Sequence, residues 1–287
     1  MRRLGVLLVF VLLAAACGND QDPTVAPAGT TTTTVAGQAP GATTPSATTA
    51  DGGVVVAPPD NATTAPTDAA AKDPPNAKGA PGSFAAAFLQ AATGERIVVE
   101  VASQDGAEPG RDTVDHVVAV LGDGSGKTVS LAGAGTPPAN DTWTGDSLRA
   151  AVDAVAATAQ GDGTVVLRLL FVHGHWAEDD TVLGVAFEAD AAAIFVDDVR
   201  GAADPLVGGG AIEVATTTHE VGHLLGLVDL YLHTGREDPE HPGHSTNRGS
   251  VMYWAVESSL VTDLLTGGPP RDFDDADRAD LAAIRAG

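Results

Sequence analysis

The sequence predicts a mixed α/β fold of the α+β kind, and three observations carry that expectation. Runs of β-branched residues alternate with stretches of helical periodicity from Ile97 onward. One run, Thr164 to His173 (TVVLRLLFVH), is the strongest strand signal in the chain. The order strand, helix, strand, helix, several strands, helix then points to a mixed sheet with helices packed on it.

The elements follow in order. Ile97 to Val101 (IVVEV) reads as a strand. After Pro109 and Gly110, the stretch Arg111 to Leu121 carries Val114, Val117, Val118 and Leu121 at helical spacing. Val129 to Ala132 reads as a second strand. Ser147 to Ala157 reads as a helix with Leu148, Val152 and Val155 on one face and Thr144 or Asp146 near its start. Thr164 to His173 follows, then shorter strands over Val182 to Phe187 and Ala192 to Val196. A turn at Gly208-Gly209-Gly210 leads into a helix from Ile212 to Leu227. A long irregular stretch precedes a terminal helix from Asp274 to Arg285. No internal repeat appears.

Residues 1–16 stand apart. Arg2 and Arg3 precede the apolar run Leu4 to Ala16, too short to span a bilayer as a helix. A basic start, an apolar stretch and small residues predict a secretory signal. Its end, Ala14-Ala15-Ala16-Cys17, resembles a bacterial lipoprotein signal, which implies lipidation of Cys17 and a location on the outer face of the cell membrane. Alanine at Ala14 departs from the larger aliphatic usual there; without lipidation the protein is secreted. Cys17 is the single cysteine, so no disulfide is available to staple the fold. Residues 17–82 follow as a Thr/Ala/Pro-rich stalk, without aromatic residues up to Pro81, that cannot bury enough surface to offset its ordering entropy. A masking pro-segment is the rival reading. The folded domain is expected over 83–287.

A formal charge of −23, from 15 basic and 38 acidic residues, excludes a nucleic-acid partner, which requires a basic footprint. Chemistry concentrates instead at His219-Glu220-Val221-Gly222-His223. Residues four apart share a helix face, so both imidazoles can address one ion. Glu220 sits one step round, able to reach a water activated by that ion without binding it. Two histidines on a solvated helix face are the plainer reading. The apolar run Leu224-Leu225-Gly226-Leu227-Val228 argues for a buried helix instead, where unliganded histidines are poorly tolerated.

The extended string His219-Glu-Val-Gly-His223-Leu-Leu-Gly226-Leu-Val-Asp229 resembles the metzincin zinc proteases. That resemblance implies a zincin-like twisted sheet, an active-site helix ended by Gly226, and a third zinc ligand three residues beyond the glycine. Asp229 holds that position, where most metzincins place histidine; an aspartate occurs in the snapalysin-like branch. His241 and His244 are the alternative third ligands, with Asp229 then orienting an imidazole. Ser250-Val251-Met252-Tyr253 matches the family's methionine turn, with Met252 as a packing floor. Trp254 stands where some relatives carry a tyrosine that stabilises an oxyanion. The strand over Val182 to Phe187 would be the edge along which an extended substrate pairs.

The implied activity is zinc-dependent endopeptidase hydrolysis of a protein or peptide, with Glu220 as general base. Two other readings stay open: a gluzincin with Glu257 as third ligand, and a non-catalytic surface lipoprotein with a structural zinc. Several motifs are set aside. Gly122 to Thr128 lacks the first glycine of a phosphate loop and reads as a turn. Asp274, Asp275, Asp277 and Asp280 lack calcium-loop spacing and read as the acidic start and solvated face of the last helix. His173 and His175 read as a loop at a strand end. Substrate specificity and oligomeric state are not written in the sequence.

Overall fold

The computed structural model describes residues 79–264 and 267–287. The signal expected over 1–16, Cys17 and the stalk up to residue 78 lie outside them. In chain order the elements are α1 (Ala85–Leu89), β1 (Arg96–Ser103), α2 (Arg111–Ser125), β2 (Thr128–Gly133), β3 (Thr142–Trp143), α3 (Gly145–Val155), β4 (Thr164–Val172), β5 (His175–Trp176), β6 (Gly184–Ala186), β7 (Ala191–Phe195), α4 (Val196–Gly201), α5 (Gly209–Leu224), β8 (Glu237–Asp238), β9 (His241–Ser245), α6 (Val261–Leu264) and α7 (Asp275–Ala286).

Five strands form the main sheet in the order β2-β1-β4-β7-β6. The first four run parallel, and β6 returns antiparallel to β7 as an edge. β4 is central and buried on both faces, as its unbroken apolar run requires. Its side chains divide with the two-residue period of a strand. Val165, Leu167, Leu169 and Phe171 join Ile97, Val99 and Ile194 in the larger core, under α2, α5 and α7. Leu170 and Val172 join Phe195, Trp143, Leu148 and Val152 beneath α3. The result is a sheet with helices on both faces.

The sequence expectations hold for element type and shift at the boundaries. α2 runs on to Ser125 and stops at Gly126, whose φ of +69° suits glycine, so the supposed phosphate loop is the end of a helix and the turn into β2. α3 starts at the expected Thr144, whose side chain accepts from Ser147 N in a capping box. The strand expected over Val182 to Phe187 is narrower, because Val182 bridges to Ser258 rather than to β7. α1 is a single alanine-rich turn with no apolar period to announce it. The acidic face expected to be solvated on α7 is partly buried: Asp277 and Asp280 pack inward and pair with Arg236. Among the described residues, no helix is long and apolar enough to cross a membrane.

Candidate metal centre

α5 is buried along its whole length from Ile212 to Leu224, so its polar groups must find partners inside the protein. Glu213 does so by accepting from Gly110 N at 2.7 Å and Thr113 Oγ1 at 2.5 Å, which ties α5 to the start of α2. Thr218 bonds back to Val214 O, and Thr216 Oγ1 donates to Val256 O at 3.1 Å. One turn on, His219 and His223 lie on the same face with ring centroids 4.7 Å apart.

The chain then reverses at Gly226, where φ is +79° and a side chain would collide with Tyr231 Cβ and Ala85 Cβ. Val228 and Asp229 follow in the left-handed region at φ 50° and 64°, a strained pair for residues with side chains. Asp229 explains what holds them there. Its Oδ1 accepts from Thr234 N at 2.7 Å, Thr234 Oγ1 at 2.9 Å and Gly235 N at 3.1 Å. Burial acts against its charge, but these hydrogen bonds outweigh that and hold its carboxyl below the ordinary range. Asp229 organises its own loop and is not among the residues brought together around His219 and His223.

His244 is. β9 is hydrogen-bonded to the methionine turn through Ser245 N and Met252 O at 2.8 Å. That contact sets the His244 ring 5.1 Å from His219 and 5.0 Å from His223. His241, the other alternative, stacks on Trp254 at 4.3 Å and contacts Asp238, pointing elsewhere. Glu257, in a 3-10 turn over Trp254–Glu257, completes the cluster. One nitrogen or oxygen from each of His219, His223, His244 and Glu257 lies within 4.8 Å of the others. The 20 residues between His223 and His244 hide this neighbour from any short spacing rule.

The methionine turn fixes the imidazoles. His219 Nδ1 donates to Val251 O at 2.7 Å, which leaves Nε2 as a bare donor atom facing the cluster. His244 Nδ1 contacts Pro242 O at 3.1 Å with the same consequence. Met252 is fully buried against Gly222, where any side chain would collide with its sulfur. The turn is anchored in turn by Ser250 Oγ, which donates to Asp277 Oδ2 of α7 at 2.6 Å.

The electrostatics are those of a site built for a cation. Burial, then repulsion from His219 and His244, holds the His223 pKa well below its usual value, so its ring is neutral. His219 Nε2 and His223 Nε2 stand 3.0 Å apart. His223 Nδ1 is buried without a partner, and His244 Nε2 meets Glu257 Oε1 at 2.9 Å off the axis of a hydrogen bond. Glu220 is fully buried, and neither carboxylate oxygen makes a well-formed hydrogen bond. Burial, then the nearby Glu257 charge, raises its pKa well above the ordinary range. Imidazole nitrogens with a carboxylate are a donor set that fits zinc.

β6 lies directly over this part of α5. A side chain at Gly184 would stand 2.9 Å from Thr216 Cγ2 and 3.1 Å from Glu220 Cγ, so glycine is needed there. Beside the strand is a cleft of about 420 Å³ lined by Thr144, Arg149, Trp176, Val185, Ala186 and Phe187 among others.

No protein-family model and no curated protein matches the sequence. Among solved structures, the chain is similar to archaemetzincin from Methanopyrus kandleri, at 18% identity and a TM-score of 0.47, over 67% of this chain and 96% of that one. It is also similar to a zinc-dependent peptidase from Methanocorpusculum labreanum strain Z, at 18% identity and a TM-score of 0.40, over 64% of this chain and 99% of that one.

Proposed function

We propose that the protein is a zinc-dependent endopeptidase of the metzincin type, with His219, His223 and His244 as ligands and Glu220 as general base. One observation supports this most: three imidazoles converge beside a buried carboxylate that lacks a hydrogen-bond partner, under an edge strand. A structural site has no use for such a carboxylate.

A zinc ion held by these ligands would polarise a peptide carbonyl and make a bound water acidic near neutral pH. Glu220 would take the proton of the attacking water at its carboxylate. It would then return that proton to the amine that leaves. Its desolvated surroundings make it a stronger base than a surface carboxylate. Leu183 and Phe187 bond to β7. The alternate residues Gly184 and Ala186 therefore present their N–H and C=O groups on the outer edge, where an extended peptide can pair with them. Met252 supports the ligand helix from below and takes no part in proton transfer.

Replacing Glu220 with Gln should leave one zinc per chain while casein hydrolysis falls by at least about a thousandfold, the loss of a base and its proton delivery together. Hydrolysis at the wild-type rate in that variant sinks the mechanism. The proposal places the activity outside the cytoplasm, on the segment 1–16 and Cys17. Cys17→Ser should move the protein from the membrane fraction to the soluble one; unchanged fractionation removes the anchor.

A further inference from the structure

Glu257 is the member of the four-residue cluster that this chemistry does not use. Its Oε1 lies 2.9 Å from His244 Nε2 and its Oε2 3.4 Å from His219 Nε2. Both contacts are at ion-pair distance, and one nitrogen or oxygen of each of the four side chains lies within 4.8 Å of the others, so the carboxylate and the imidazoles face a common centre. Its side chain keeps 23% exposure while His219 keeps none, which puts Glu257 on the solvent side of the group.

The backbone beneath Glu257 is pinned on two sides. Val256 O accepts from Thr216 of α5. Glu257 O accepts from Leu183 N at 2.7 Å, and Ser259 N donates to Thr181 O at 2.7 Å. The segment is thus stitched to the residues that lead into β6. A pinned backbone leaves side-chain rotation as the way for the carboxylate to leave, and solvent is the direction open to it. Zinc is satisfied by four ligands, and three imidazoles with this carboxylate make four.

Resting on the three-histidine reading above, we propose that Glu257 is a fourth, displaceable protein ligand that keeps the centre closed until a peptide occupies the outer edge of β6. Substrate and carboxylate compete for one position. Pairing at Gly184 and Ala186 brings the peptide to that position from the strand to which Glu257 is tied. Displacement moves a negative charge away from Glu220 toward water, which removes a like-charge contact from a buried site.

The test uses the full chain as wild type, Glu257→Gln and Glu257→Ala, loaded with Co²⁺ and titrated with acetohydroxamate. The visible spectrum of the metal reports its ligands. Both variants should show an altered spectrum before titration. They should bind acetohydroxamate at least about tenfold more tightly than wild type, since no protein ligand must leave first. Identical spectra and affinities in all three proteins overturn the proposal. So does a wild-type spectrum that saturating acetohydroxamate leaves unchanged, which would mean a fixed ligand. A His244→Ala chain that binds Co²⁺ as tightly as wild type would instead overturn the three-histidine reading, whatever Glu257 does.

Discussion

Among the described residues, two of the buried clusters of charged and titratable side chains are matched in different ways. On the α3 side of the sheet, Arg168 of β4 lies between Glu100 and Asp190. Glu100 also accepts from Ala157 N and Thr158 N, Asp190 accepts from Gln160, and Arg168 donates to Thr158 O at 2.9 Å. Both carboxylates are matched from within the chain. At His219, His223, His244 and Glu257 the side chains crowd together, yet His223 Nδ1, His244 Nε2 and both oxygens of the neighbouring Glu220 make no well-formed hydrogen bond. Burying unmatched polar groups is costly, so a fold retains them where something else completes them. A closed network marks structure; an open one marks a site.

Breaking the open cluster should have the largest effect. His244→Ala should weaken zinc binding by about a thousandfold, roughly 4 kcal/mol, and cancel most of the rise in Tm that saturating zinc produces. Asp229→Ala should leave zinc affinity within about threefold and act on the loop instead. Isothermal titration with zinc compares the two, and the reverse ranking would restore Asp229 as ligand.

Breaking the closed cluster should cost somewhat less and be indifferent to metal. Arg168→Ala strands two buried carboxylates and should lower stability by about 3 kcal/mol, with or without zinc. Urea denaturation in both conditions checks this. A loss of stability that added zinc reverses would show that the two clusters are not independent.

The smallest effect is a pH dependence. Burial pushes the Asp190 carboxyl up to about 6, against the pull of Arg168 and the hydrogen bond from Gln160. The folded state then binds a proton more tightly than the unfolded chain. The associated stability is complete below about 4 and fades as pH rises through about 6. Asp190→Asn should flatten that part of the stability–pH curve, measured by thermal unfolding between pH 4 and 7.

The ligand helix shows how far residue order can be read and where that stops. His219, Glu220, His223 and Gly226 interact through helix geometry and its termination, both set within one short segment. Their placement was legible. Asp229 sits three residues past the turn, where a third ligand is expected, and that is also the right place for a loop-organising carboxylate. Only the hydrogen bonds from Thr234 and Gly235 distinguish the two. His244 reaches the centre because β9 bonds to the methionine turn, and that turn because Ser250 bonds to Asp277 of α7. None of those links has a fixed spacing in the chain.

The fold divides the same way. Strand and helix types follow from periodicity, since a two-residue or 3.6-residue repeat is a property of consecutive residues. Sheet order, the reversal of β6 and the burial of Asp277 and Asp280 depend on contacts between distant segments. So residue order settled that a His-Glu-x-x-His helix exists and that the chain turns at Gly226 just after it. Tertiary packing settled that His244 and Glu257 join its two histidines in one cluster and that Glu220 is buried beside them. Local conformation is written in neighbours along the chain, whereas a metal centre is assembled from neighbours in space.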